Sequence, residues 1–164
     1  MFLRFLFIIL IIFANSCSKK EEKISIIEEK EINLQMIDAY KEGIDAFEKG
    51  DVLFAAKKFN EAEILFPQSK WAPRSILMAA YAYYSQDYYY DAVSELERFI
   101  QKYPKHERLN YAHFLLAICY YEQIVDEKKD LGPLLSAQKE FNFVVNNYPE
   151  SDFALDSKFK LDLI

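Results

Sequence analysis

Residues 43–67 read GIDAFEKGDVLFAAKKFNEAEILFP and predict two antiparallel helices joined by a tight turn. Gly50 and Asp51 divide the stretch, because glycine commonly ends a helix and aspartate commonly caps the helix that follows. Pro67 closes the pair, since proline lacks an N–H group and disfavours helix in the residue before it. The repeat positions of this first unit are Gly43, Ala55, Phe59, Ala62 and Pro67. The first four are expected at the contact between the two helices, and Pro67 follows the second helix.

The same arrangement recurs twice further along the chain. The second unit carries Ala80, Tyr83, Ala92, Leu96, Phe99 and Pro104, and the third carries Ala117, Tyr120, Ala137, Phe141, Val144 and Pro149. The order of small, aromatic and proline positions matches the tetratricopeptide repeat of about 34 residues. The steps between units are slightly longer than that repeat requires, and the third unit holds an insertion before Ala137. The sequence therefore predicts an all-α tetratricopeptide-repeat solenoid of about three and a half repeats.

The pattern also predicts where the helices lie. We expect them near residues 33–49, 52–66, 70–86, 88–103, 107–125, 134–148 and 151–163. The insertion predicts a loop over residues 126–136. Asp87 is expected to cap the fourth helix in the way that Asp51 caps the second.

The N-terminus is typical of an export signal. Arg4 precedes ten apolar residues, 5–14, a run too short to span a bilayer but suited to a secretory signal peptide. Cys17 follows Ala14-Asn15-Ser16, which resembles a bacterial lipoprotein signal in which that cysteine receives diacylglycerol. The alternative is an ordinary cleaved signal peptide with an incidental cysteine. In lipoprotein sorting, Ser18 rather than Asp after the cysteine favours the outer membrane.

These patterns divide the chain into three parts. Residues 1–16 are expected to form a lipoprotein signal peptide, residues 17–32 the lipidated Cys17 and a charged tether with weak helical character, and residues 33–164 the tetratricopeptide-repeat domain. Several acyl chains hold a soluble domain at a membrane, because each buried CH₂ contributes about 0.8 kcal/mol.

Composition and motifs argue against several classes of function. An apolar content of 52% argues against disorder, and a net charge of -6 without a basic face argues against nucleic-acid binding. Motifs for phosphate loops, zinc hydrolases and nucleophile elbows are absent from the sequence, which favours a protein that is not an enzyme and uses no cofactor apart from the lipid on Cys17. Cys119 is expected to be a small core residue. The histidines His106 and His113 are interpreted as surface or groove-lining residues, and the carboxylates Glu61, Glu63, Glu95 and Glu97 as solvated charges.

Over about residues 34–164 the chain resembles the BamD family of outer-membrane assembly lipoproteins. The resemblance is carried by FPQSKWA at 66–72, YPKH at 103–106, YPES at 148–151 and the insertion before Ala137. It implies an adaptor on the periplasmic face of the outer membrane, within the β-barrel assembly (BAM) complex. Its implied partners are a BamA-like barrel protein, other BAM subunits and unfolded outer-membrane protein clients. Family members carry more repeats than this chain.

A second reading is another envelope tetratricopeptide scaffold, such as a coordinator of cell-wall work associated with Tol-Pal. Proteins of that kind usually carry an N-terminal coiled coil and regular repeats. This chain shows neither heptads nor a regular third unit, which favours the first reading.

The concave face of such a solenoid is the expected binding surface. In peptide-binding tetratricopeptide proteins, the second, fifth, ninth and twelfth positions of each unit's first helix face the groove. Carried onto this chain, these positions predict a groove lined by Tyr40, Ile44, Phe47, Arg74, Leu77, Tyr81, Tyr84, Tyr111, Phe114 and Tyr121, with Ile37 and Ile118 beside them. One cation among aromatic rings suits a segment with aromatic side chains and a terminal carboxylate. The alternative is that the protein buries these rings itself.

Overall fold

A computed structural model describes residues 21–124 and 130–164, with side chains described from residue 31 onward. The predicted signal peptide and Cys17 lie outside the described residues. Within these residues the helices are α1 (Glu21–Glu48), α2 (Val52–Leu65), α3 (Trp71–Tyr84), α4 (Tyr89–Lys102), α5 (Leu109–Glu122), α6 (Gly132–Asn147) and α7 (Asp152–Leu161). Each helix packs on the next along the chain, and α5 also contacts α7. The prediction of an all-α solenoid built from helix pairs is confirmed.

The turn between α1 and α2 forms for the reasons the sequence indicated. Gly50 has a φ of +79°, a left-handed conformation in which glycine carries no steric penalty. Asp51 caps α2, because its carboxylate accepts a hydrogen bond of 3.2 Å from the Phe54 N–H. Gly43 lies against the Phe59 ring so closely that a Cβ atom there would come within 2.8 Å of the ring carbons. The two helices of the first unit therefore meet at a glycine.

The aromatic-proline closures end the second helix of each unit. Phe66, Tyr103 and Tyr148 leave the helical region, with φ values of -142°, -125° and -134°. Their ψ values of 72°, 57° and 51° also lie outside the helical region, which a following proline disfavours. The core of each unit then lies between its helices, and the fully buried aromatic and small residues at the repeat positions include Ala55, Phe59, Ala92, Phe99, Ala137 and Phe141.

Two helices begin earlier than expected, and one expected cap is absent. Helix α1 begins at Glu21 rather than near residue 33, since residues 21–32 contain good helix formers and neither glycine nor proline. Helix α6 begins at Gly132, with Pro133 in its first turn, so part of the expected loop is helical. Asp87 does not cap α4. It has a φ of +64° and occupies the left-handed place that Gly50 fills in the first unit.

Two interpretations of charged residues were wrong. Glu63 is 2% exposed and pairs with Arg98 at 3.0 Å and with Lys102, which joins α2 to α4. His113 is also buried, and its Nδ1 lies 2.7 Å from a Glu140 carboxylate oxygen on α6. Burial raises the pKa of the Glu140 carboxyl, but hydrogen bonds from His113 and Lys139 outweigh that effect and the net pKa is lowered. These pairs hold helices together rather than face water.

Cys119 is fully buried and free, as expected of a core residue, and burial raises the pKa of its thiol to about 12. Across residues 21–124 and 130–164, no helix is both long enough and apolar enough to cross a bilayer.

Candidate peptide-binding groove

A cavity of about 400 Å³ opens between the first helices of the three units. It is lined by Tyr40 of α1, by Arg74, Leu77, Met78 and Tyr81 of α3, by Tyr111 of α5, and by Arg108 just before α5. Half of the ten residues predicted to line the groove therefore meet in one cavity. The ring contacts Tyr40–Trp71 and Phe47–Tyr81 bring α1 and α3 side by side, so corresponding positions of these two first helices face the same side.

One of the two arginines of this cavity, Arg74, stacks on an aromatic ring. The Arg74 guanidinium carbon is 5.1 Å from the centre of the Trp71 ring, and the Tyr40 ring centre is also 5.1 Å from that ring. Tyr40 in turn packs edge-on against the buried Phe59. Cation–π contacts of this kind contribute about 0.5–1 kcal/mol at exposed sites. Arg74 is thus steadied by a ring stack that begins in the core of the first unit.

The phenols beside the two arginines are neutral donors at physiological pH. Burial raises the pKa of Tyr40, and the charge of Arg74 opposes that shift only in part. Burial likewise raises the pKa of Tyr111 to about 12, against the opposing charge of Arg108. Positive charge in the cavity therefore comes from guanidinium groups, while the tyrosines offer hydroxyl groups and ring faces.

An aromatic strip continues beyond the cavity. The Phe47 and Tyr81 ring centres are 5.7 Å apart, and the Tyr81 and Tyr84 ring centres are 6.3 Å apart. Ile44 packs against the core of the first unit. Tyr81 remains 39% exposed, so a ligand can contact this strip. Tyr81 belongs to both the cavity wall and this strip, whereas Ile44, Phe47 and Tyr84 lie outside the cavity wall.

In the third unit the protein fills its own groove. Phe153 of α7 packs on Phe114 with ring centres 5.2 Å apart, and on Tyr111 with ring centres 5.6 Å apart. Tyr121 lies under Lys160, whose Nζ is 4.0 Å from the ring centre. It borders a separate cavity of about 500 Å³ near the end of the chain. The open cavity therefore ends at Tyr111, which still lines it on one side, and Phe153 covers the rest of the third unit's groove at Phe114.

Two lining residues were missed, and the prediction of a single cation was wrong. Met78 follows the fifth position of its helix, and Arg108 precedes the first turn of α5, so neither occupies a standard groove position. The clue to Arg108 was a positive charge three residues before the groove residue Tyr111, ahead of a helix that contains neither lysine nor arginine. Within the described residues, no cluster of side chains suited to a metal ion occurs.

Fold and site together define a tetratricopeptide-type scaffold whose first helices frame an aromatic groove with cationic walls. A family model described as YfiO, outer membrane lipoprotein, matches residues 33–164. The chain belongs to this family of outer-membrane lipoproteins, which confirms the predicted family and, at the level of the family, the predicted location.

Relatives with a described role agree with this assignment. The chain is 36% identical over 149 residues to the outer membrane protein assembly factor BamD of Caulobacter vibrioides, covering 90% of this chain and 48% of that protein. It is 31% identical over 125 residues to BamD of Rickettsia prowazekii, covering 76% and 50%. BamD of Xylella fastidiosa is 26% identical over 129 residues, covering 73% and 44%. The chain thus spans about half the length of these relatives.

Proposed function

We propose that the protein is an adaptor in the assembly of outer-membrane β-barrel proteins, held at the periplasmic face of the outer membrane by lipid on Cys17. Membership in the outer-membrane lipoprotein family and the assembly-factor names of its relatives support this role. Its proposed partners are a BamA-like barrel protein, other subunits of the BAM complex and unfolded outer-membrane clients. We further propose that it acts by binding and not by catalysis.

The observation that carries the proposal is the open part of the groove. Its walls combine ring faces from Tyr40, Tyr81 and Tyr111 with the guanidinium of Arg74. An extended segment ending in an aromatic residue presents a ring and a carboxylate at one end. Arginine offers two parallel N–H donors that match a carboxylate, and burial of the ring contributes about 25 cal/mol per Å² before ordering costs.

Crosslinking in cells tests whether unfolded outer-membrane proteins contact the groove. A photoreactive amino acid in place of Met78 would lie in the cavity wall, whereas the same residue in place of Tyr90 would lie on α4, where the side chain is 82% exposed and outside the cavity. We expect crosslinks from position 78 to outer-membrane barrel proteins during their synthesis, and few from position 90.

Two results would contradict the proposal. Equal crosslinking from both positions would show that contact with clients is not made in the groove. Crosslinks from position 78 that reach only soluble cell-wall enzymes would favour a different envelope role for the scaffold.

A further inference from the structure

A second cation lies in the wall of the cavity. Arg74 belongs to α3 of the second unit, while Arg108 stands at the start of α5 in the third unit, and both line the same space. We propose that the cavity recognises two anionic groups on one extended peptide, a terminal carboxylate and an acidic side chain near it. This inference rests on the proposed peptide-binding function and adds the composition of the segment that fits best.

Arg74 and Arg108 differ from Arg98, the other arginine that the structure describes, which pairs with Glu63 and Glu95. Lys58 and Lys102 also pair with glutamate side chains. Among the residues that the structure describes, none forms an ion pair with Arg74 or Arg108. The chain as a whole has 26 acidic and 20 basic residues, so carboxylates were available. Two guanidinium groups without a carboxylate in one cavity create a local positive potential that an anionic ligand relieves.

The remainder of the cavity wall favours a peptide over a small anion. Leu77 is 5% exposed and lies in the cavity with Met78 and three tyrosines. An apolar or aromatic side chain would cover that surface, whereas inorganic phosphate would leave it wet. The Tyr40 and Tyr111 hydroxyl groups, each beside one arginine, can add hydrogen bonds to the two anionic groups. The geometry therefore suits a segment with an apolar or aromatic side chain set between two carboxylates.

The experiment uses fluorescence anisotropy with the full chain and short labelled peptides that end in phenylalanine with a free carboxylate. A glutamate is placed in turn at each position before the terminal residue, and each peptide is compared with its glutamine counterpart. At one position we expect glutamate to bind roughly three- to tenfold more tightly than glutamine, as charge-assisted hydrogen bonds exceed neutral ones.

The variants assign that preference to a residue. R108Q should abolish the preference for glutamate while leaving the preference for a free terminus over an amidated one. R74Q should do the reverse. Lys105→Gln removes one exposed positive charge outside the cavity and should change neither preference.

The outcomes separate this inference from the proposed function. Peptides that bind with a dependence on Arg74 but with no preference for glutamate at any position overturn the second site alone. The same holds if the glutamate preference survives in R108Q or is lost equally in Lys105→Gln. If no peptide binds, while vesicles of anionic phospholipid bind through Arg108, both the groove proposal and this inference are wrong.

Discussion

Replacing Gly43 by alanine changes the free energy of unfolding in two opposing ways: overpacking lowers it and helix propensity raises it. The added Cβ would lie 2.8 Å from two carbons of the Phe59 ring and 3.2 Å from a third. Carbon atoms prefer about 3.5–4.0 Å, so the ring or the helix must move by roughly 1 Å. Phe59 is fully buried and packed against Tyr40, which leaves the ring little room. We expect the overpacking to cost about 1–3 kcal/mol, as such insertions usually do.

The opposing effect is helix propensity, since alanine is favoured over glycine inside a helix by about 1 kcal/mol. Gly43→Ala should therefore lower the free energy of unfolding by about 1 kcal/mol, and by up to about 2, measured by urea titration with far-UV circular dichroism. The matched background is Phe59→Ala, which removes all three ring carbons that clash. In that background Gly43→Ala should become neutral or stabilising. If Gly43→Ala instead stabilises the wild type by the full propensity term, the close contact of the two helices is wrong.

Three further predictions concern the repeat packing, the buried pair and the anchor. Ala92→Leu should lower the free energy of unfolding by about 1–3 kcal/mol, because Ala92 is fully buried between helices, while Ser94→Leu on the exposed side of the same helix should change it little. The pKa of the Glu140 carboxyl is lower in the folded protein than in the unfolded chain. Its carboxylate therefore stabilises the fold at pH values above the unfolded pKa, and this stabilisation is lost as pH falls through the folded pKa. Urea titrations should thus show that Glu140→Gln costs stability near neutral pH and that this cost shrinks in acid; a cost independent of pH would contradict the role of the pair. Mass spectrometry of the mature N-terminus should find a diacylglyceryl group on Cys17, and an unmodified cysteine or cleavage elsewhere would refute the anchor.

Much of the fold could be predicted because its determinants are local. The closing prolines and the left-handed Gly50 act within a few residues of themselves, and the small residues at helix contacts recur at the same places in each unit. The start of α1 could not be placed in the same way, since residues 21–32 have no residue that stops a helix. Asp87 was misread because aspartate suits both a helix cap and a left-handed position, and the structure uses the second.

The buried ion pairs could not be predicted from the sequence, because their partners lie far apart along the chain. Glu63 resembles any surface glutamate of an amphipathic helix until α4 brings Arg98 and Lys102 against it. The same holds for His113 and Glu140, which stand 27 residues apart. In the groove, the repeat positions correctly predicted that five residues lie together: Tyr40, Arg74, Leu77, Tyr81 and Tyr111. They did not predict Arg108, which lies before the start of its helix. Nor did they predict that Phe153 of the next unit covers Phe114. Contacts between units therefore decide which part of the groove is open.

We propose that the open groove binds a peptide terminus through Arg74. The most direct measurement compares a peptide ending in phenylalanine with a free carboxylate and the same peptide with an amidated end, each titrated against the wild-type chain and R74Q. We expect the free peptide to bind the wild type in about the micromolar range, amidation to weaken binding, and R74Q to remove that difference. Equal binding of free and amidated peptides to the wild type would contradict the claim and leave the groove as an apolar surface alone.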